Sequence, residues 1–234
     1  MTDELTNNTR RGRVFVASMN MRGKWAKAPA GALKVNVTSA QSKSSKHRLH
    51  FSPMHAPPAG YEAPDGCTYL NFEHFWQGGK VWAGLPAGAA REFFKRAAKP
   101  ARRLPGSRGM KVLHSHWNIP FLGIHMGYVE SRKKVYVPFY HAFMKDCDSL
   151  KELRGRVERG GDVVVYDFDG PRLPRGKTDC MDEVALVDGD VACMPVSLDL
   201  LRDKINDEEH PFGHGYVVAA AIAGISVDEF TVQK

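Results

Sequence analysis

The chain has 234 residues, of which 43% are hydrophobic and 25% charged, with a net charge of +7 and a pI near 9.2. That length suits one domain, or one domain with a substantial insertion, and the composition excludes an intrinsically disordered chain. No apolar run approaches a membrane span and Met1–Asn8 holds no apolar signal core, so neither membrane insertion nor export is expected.

Residues 1–12 read as a disordered polar tail. Val14–Ser18 is a short apolar run suited to a strand, and residues 22–32 are a basic loop rich in Gly, Pro and Ala. Leu33–Ser39 alternates and predicts a second strand. It ends in hydroxyls, amides and cations, with Ser39 the residue placed to meet a phosphate or ribose; a plain Ser/Lys loop is the alternative. Turn-rich residues 51–60 lead to Asn71-Phe-Glu-His-Phe-Trp-Gln-Gly-Gly-Lys80. A helix is expected over Tyr69–Ala83, with Asn71 as its N-cap and Val81 and Trp82 continuing it to a stop at Gly84 and Pro86. Helical spacing sets Glu73, Gln77 and Lys80 on one face, beside an apolar face of Phe72, Phe75 and Trp76. A partly buried helix with a Glu–Lys pair is the simpler reading of the same pattern.

Residues 89–98 predict a basic helix, and 101–112 a basic loop. Arg91, Lys95, Arg96, Lys99, Arg102, Arg103, Arg108 and Lys111 stand there against a single acid, Glu92, a distribution suited to nucleic-acid phosphates. A second basic cluster runs from Arg10 to Lys27, while acids gather late in the chain. His114-x-His116 has no third ligand at a standard spacing, so no metal is expected. Cys67, Cys147, Cys180 and Cys193 form no CxxC pair, which fits a reduced, cytoplasmic setting.

Val135–Pro138 leads into a helix around Phe139–Lys145, and a further helix is expected over Ser149–Arg159. Asp162–Gly170 is the clearest buried strand; its apolar run predicts a central or parallel position. Asp167 and Asp169 lie at its carboxyl end, where α/β proteins often carry ligand-binding groups, although bracing the following turn would also explain them. Residues 172–196 read as an irregular insertion with one strand or a hairpin near Val184–Val187 and Val191–Met194. Ser197 caps a helix to about Asn206. Gly213-His214-Gly215 opens a small-residue helix, putting an imidazole where backbone N–H groups converge on anions and where the helix dipole favours its neutral form. The tail from Ile225 carries one strand-like segment. The expected fold is α+β (mixed α/β): a single compact domain over 13–234 with a small central sheet surrounded by helices.

Glu73-His74, then Gln77 and Lys80, a basic helix and Trp117-Asn118 resemble the NADAR superfamily over roughly residues 69–118. The usual Ser-Asn-Phe lead-in is replaced by Leu70-Asn71-Phe72. Across most of the chain, the Asn-Val-Thr-Ser strand, the Trp-Gln-x-x-Lys-Val stretch and the late histidine also resemble a larger, virus- and phage-associated relative. The NADAR resemblance implies N-glycosidase chemistry on a modified nucleotide or nucleic acid. On that reading Glu73 is the key carboxylate, because cleaving a base–ribose bond builds positive charge on the sugar. His74 or His214 would protonate the departing base, and Lys80 would orient Glu73 or hold a phosphate. Trp76 or Trp117 would stack on a base. Asn71, Gln77, Ser39 and Asp169 complete the expected substrate contacts, and Asp167 joins the catalytic group from position alone. No cofactor, metal, membrane or obligate protein partner is expected; the partner is DNA or a nucleotide. Two other classes stay open: a nucleic-acid-binding protein without chemistry, and a metal-dependent phosphatase or nuclease built on Asp167 and Asp169.

Overall fold

The computed structural model describes residues 10–19, 25–38, 45–123, 125–172 and 191–232. Ser39, Cys180 and the Val184–Val187 part of the expected hairpin lie outside them. Arg10–Gly12 do not extend a loose tail: the Gly12 N–H donates to Val157 O at 2.8 Å and the Arg11 guanidinium to Ala223 O at 3.1 Å.

In chain order, β1 (Val14–Ser18) is wholly buried, and β2 (Leu33–Asn36) starts where expected and ends before Ser39. α1 (Lys46–Phe51) is capped by Ser45. A ribbon of β3 (Tyr61–Glu62) and β4 (Thr68–Tyr69) leads to α2 (Phe72–Gly78). Asn71 is its N-cap as expected, its Oδ1 accepting the His74 N–H at 2.9 Å.

The helix does not continue through Val81 and Trp82. Those residues form β5 (Lys80–Trp82) instead. A Cβ on Gly79 would fall 1.9 Å from the Trp117 ring, so the indole packs where only bare backbone fits. Val and Trp then suit a strand better than a helix. After α3 (Ala89–Arg96), β6 (Val112–Ser115) pairs antiparallel with β5, although the basic loop was expected to run to 112.

The next helix begins eleven positions before the expected Phe139. α4 (Tyr128–Ser131), a wide π turn (Arg132–Tyr136) and α5 (Val137–Met144) run end to end. Pro138 has no N–H for the preceding turn and crowds it; widening that turn relieves both defects. α6 (Asp148–Glu158) matches expectation. β7 (Val163–Asp167) is wholly buried, and β8 (Cys193–Pro195) takes up the latter half of the expected hairpin. α7 (Leu198–Asn206) is capped by Ser197, and α8 (His214–Ala223) follows. The tail is α9 (Val227–Thr231) rather than a strand; Ser226 and Glu229 form a reciprocal capping box, a Ser-x-x-Glu signal the sequence does contain.

The sheet order is β2-β7-β1-β8, with β7 parallel to both neighbours and β8 an antiparallel edge. The central, parallel position of the Asp162–Gly170 run is therefore as its apolar pattern requires. Val14, Val16, Val35, Val163 and Val165 point into the main core, where α6 and α8 pack; Phe15, Ala17, Val164 and Tyr166 point into a smaller cluster on the other face. α8 is buried on all sides, and its run of alanines lets it lie close to the sheet. Phe72 and Phe75 of α2 join Tyr61, Tyr136, Tyr140 and Phe143 in an aromatic cluster, with Phe72 contacting each of the other five rings at centroid distances of 5.4–5.9 Å. Burying each such ring contributes about 1.5–3 kcal/mol. The fold is a single α+β unit with a small mixed sheet surrounded by helices, and no described helix is long and apolar enough to cross a membrane.

Candidate active site

The three parallel strands end together at Ser18, Asn36 and Asp167, and the N-terminus of α8 meets that edge. Asp167 is 2% exposed. Its Oδ1 accepts the Phe168 N–H at 2.8 Å, its Oδ2 accepts the Gly215 N–H at 2.9 Å, and His214 Nδ1 lies 3.2 Å from Oδ2. His214 Nε2 meets the Val37 carbonyl, which only accepts, so that nitrogen carries the hydrogen. The two glycines permit this approach. A Cβ at 213 would sit 2.5 Å from Asp167 Oδ2, and one at 215 would sit 2.6 Å from Asp167 Cβ. The anion awaited at this helix N-terminus is thus Asp167 itself, and the Asp167–His214 pair ties β7, β2 and α8 together.

Glu73 lies on the neighbouring side. Its Oε1 accepts Gln77 Nε2 at 2.6 Å, as the i, i+4 spacing predicts. Lys80 reaches it from β5 rather than from the helix: burial pushes the ammonium pKa down, Glu73 pulls it back up, and Arg103 pushes it down again. The Lys80 ammonium also stands 5.5 Å from the Trp76 ring centre. Tyr136, from the π turn, faces the same place. Its hydroxyl is held well above the usual range by burial first and by the charge of Glu73 next, then by Tyr140, Asp167 and Asp169. It therefore stays a neutral donor. Among the described residues, Glu73 Oε2, Lys80 Nζ and the Tyr136 hydroxyl have no hydrogen-bond partner. Three such unspent groups converging in one place are what a ligand site leaves behind.

Asp169 links the two sides. As a residue it is exposed, but burial around its carboxyl, and then the charge of Asp167, push that group's pKa up; Glu73 adds to the rise and His214 opposes it. Asp169, Arg172 and Tyr216 line a cleft of about 330 Å³ that is closed on its far side by residues 204–211. That far wall is organised by Arg132, 2% exposed, whose guanidinium donates to the carbonyls of Lys204, Ile205, Asp207 and His210 at 2.8–3.2 Å. A raised carboxyl pKa means that the folded chain holds this proton more tightly than the unfolded one. Its contribution to stability is present at low pH and lost as pH rises through the folded value. Asp169→Asn is accordingly expected to raise the melting temperature at pH 7 and to change nothing below pH 3; equal melting curves at pH 7 would remove the assignment.

Several expected site residues lie elsewhere. His74 is fully buried, accepts the Ala101 N–H on Nε2 at 2.9 Å, packs on Phe94 and keeps its Nδ1 buried without a partner, which places it in the core rather than beside a departing base. Asn71 spends its carbonyl on the cap and its amide on Met54 O at 3.2 Å. Trp117 is 1% exposed, donates to Phe75 O at 3.0 Å and stacks on Trp76 at 5.2 Å, which leaves no face for a base. Trp76 is itself wedged between Trp117 and Tyr136. In the basic run, Lys95, Lys99, Arg102, Arg103, Arg108 and Lys111 are exposed. Arg96 is exposed but pairs with Glu92 at 3.1 Å, and Arg91 turns inward to donate to His116 O at 2.9 Å.

The sequence gives no hint of Tyr136 or Arg132, which look like ordinary residues of a Lys/Val/Tyr stretch; a π turn is the only local mark of their role. No protein-family model, curated protein or solved structure matches the chain.

Proposed function

We propose that the chain is an N-glycosidase acting on a nucleotide or nucleic-acid substrate, with Glu73 as its working carboxylate. The observation that carries this reading is the position of Glu73: one oxygen fixed by Gln77, the other unspent, beside a lysine and a neutral tyrosine hydroxyl. In hydrolysis, the C1′–N bond breaks and its electron pair leaves with the base, which takes up a proton. A water oxygen bonds to C1′ and gives its proton to Glu73, while the carboxylate stabilises the cationic sugar as it forms. Tyr136, held neutral, donates a hydrogen bond to the departing base, which takes up its proton from solvent water. The charge of Glu73 in turn supports the Lys80 ammonium beside it. Asp167 and His214 act as positioning residues, since their polar atoms already bind protein. That saturation also weighs against a phosphatase or nuclease that would use Asp167 to hold a metal. Release of free base from modified and unmodified nucleotides, DNA and RNA, followed by mass spectrometry and repeated with Glu73→Gln, tests the proposal.

A second reading, nucleic-acid binding without chemistry, is favoured by the exposed cations of residues 95–111. If a strand lies there, replacing Arg103, Arg108 and Lys111 together lowers the slope of log affinity against log salt by about 2–3. An unchanged slope in a filter-binding or anisotropy titration rules the surface out as the strand's path.

A further inference from the structure

A second cavity, of about 270 Å³, lies on the other side of Lys80. Lys80, Arg91, His114, His116 and His125 line it, with Gly88 at the start of α3, and no carboxylate does. These groups come from β5, α3, β6 and the segment after Trp117, so the sequence scatters them over nearly fifty positions. Arg91 Nε is buried there without any acceptor, although its terminal nitrogen reaches His116 O. Lys80 has no hydrogen-bond acceptor among the described residues. The His114 and His125 rings stand 4.2 Å apart, and burial, Arg91 and these two neighbours all push the His116 pKa down. Cations and imidazoles crowded together with unspent donors are poorly balanced until an anion joins them. Gly88 has no side chain to cap α3, which leaves the positive end of that helix turned toward the same space.

We propose that this cavity binds a phosphate monoester: the 5′-phosphate of a nucleotide, or of a strand's end, whose sugar then extends past Lys80 toward Glu73. A monoester dianion offers three terminal oxygens to these donors. An internal phosphodiester offers two and must continue in both directions, which suits the exposed 95–111 surface better than a cavity. Three imidazoles also invite a metal, but no group of three ligating side chains that could hold one occurs among the described residues. The assignment rests on the Glu73 reading only for the direction of the sugar; phosphate binding itself does not require catalysis.

The test is a titration of the full chain carrying Glu73→Gln with ribose 5-phosphate, following the imidazole proton signals of His114, His116 and His125 by NMR. Ribose 5-phosphate is expected to shift all three, and ribose to shift none. Arg91→Ala and, separately, His125→Ala are expected to weaken binding at least tenfold; His125 is exposed, so its loss leaves folding intact. A 5′-phosphorylated dinucleotide binding like ribose 5-phosphate extends the site to strand ends. An unphosphorylated dinucleotide binding equally well, ribose alone shifting the signals, affinity unchanged in both variants, or zinc displacing the sugar phosphate would each overturn the proposal. Binding retained where wild-type base release is absent would strike the glycosidase reading and leave the cavity assignment standing.

Discussion

Replacing Glu73 by Gln is expected to slow base release by roughly 10²–10⁴-fold while leaving the melting temperature within about 2 °C of the parent. The substitution keeps the volume and an oxygen able to accept from Gln77 Nε2, so α2 loses nothing it needs for folding. What disappears is the charge. That charge holds up the Lys80 ammonium, raises the Tyr136 hydroxyl and stabilises a cationic sugar only as the glycosidic bond breaks. The loss should therefore fall on kcat more than on KM. Base release at the parent rate in a folded Glu73→Gln chain would end the proposed role; a large rise in KM alone would make Glu73 a binding residue.

The second large effect is structural. Asp167→Ala is expected to lower stability by about 3–5 kcal/mol, a fall in Tm on the order of 10 °C for a chain of this size. Alanine leaves the Phe168 and Gly215 N–H groups without their acceptor in a buried place, and it removes the carboxylate facing His214 Nδ1. Asp167→Asn, which retains one acceptor oxygen, should cost less. Denaturant melts compare the three chains; equal midpoints for Asp167→Ala and the parent would contradict the lock between β7 and α8. Because Glu73 and Tyr136 sit on α2 and the π turn, the same substitution should spare the activity of the molecules that remain folded far more than Glu73→Gln does.

These expectations depend on which parts of the chain local sequence can determine. The buried β7 was legible because the four apolar residues Val163–Tyr166 in a row have no other comfortable place, and the caps at Asn71 and Ser197 because a side-chain oxygen before an amphipathic run satisfies orphan N–H groups. The Glu73–Gln77 bond followed from helical spacing alone. The helix over Lys80–Trp82 was not excluded by spacing; a Trp117 ring from 38 positions beyond Gly79 ends it. The Ser226-x-x-Glu229 box was present in the sequence, but the short apolar tail around it also suits a strand, and packing against α7 and α5 decides.

The sequence by itself determined the α+β class, the central strand, most of the helices and the identity of Glu73, Gln77, Asp167 and His214 as polar residues in unusual surroundings. Those are consequences of period and local hydrogen bonding, which act over a few residues. Only the tertiary structure decided which polar groups are spent. Asn71 and Trp117 find backbone partners far along the chain, and Asp167 finds His214 across 47 positions; Glu73, Lys80 and Tyr136 keep atoms to spare. A side chain's chemical availability depends on what desolvates it and what already bonds to it, and both are set by contacts between distant segments.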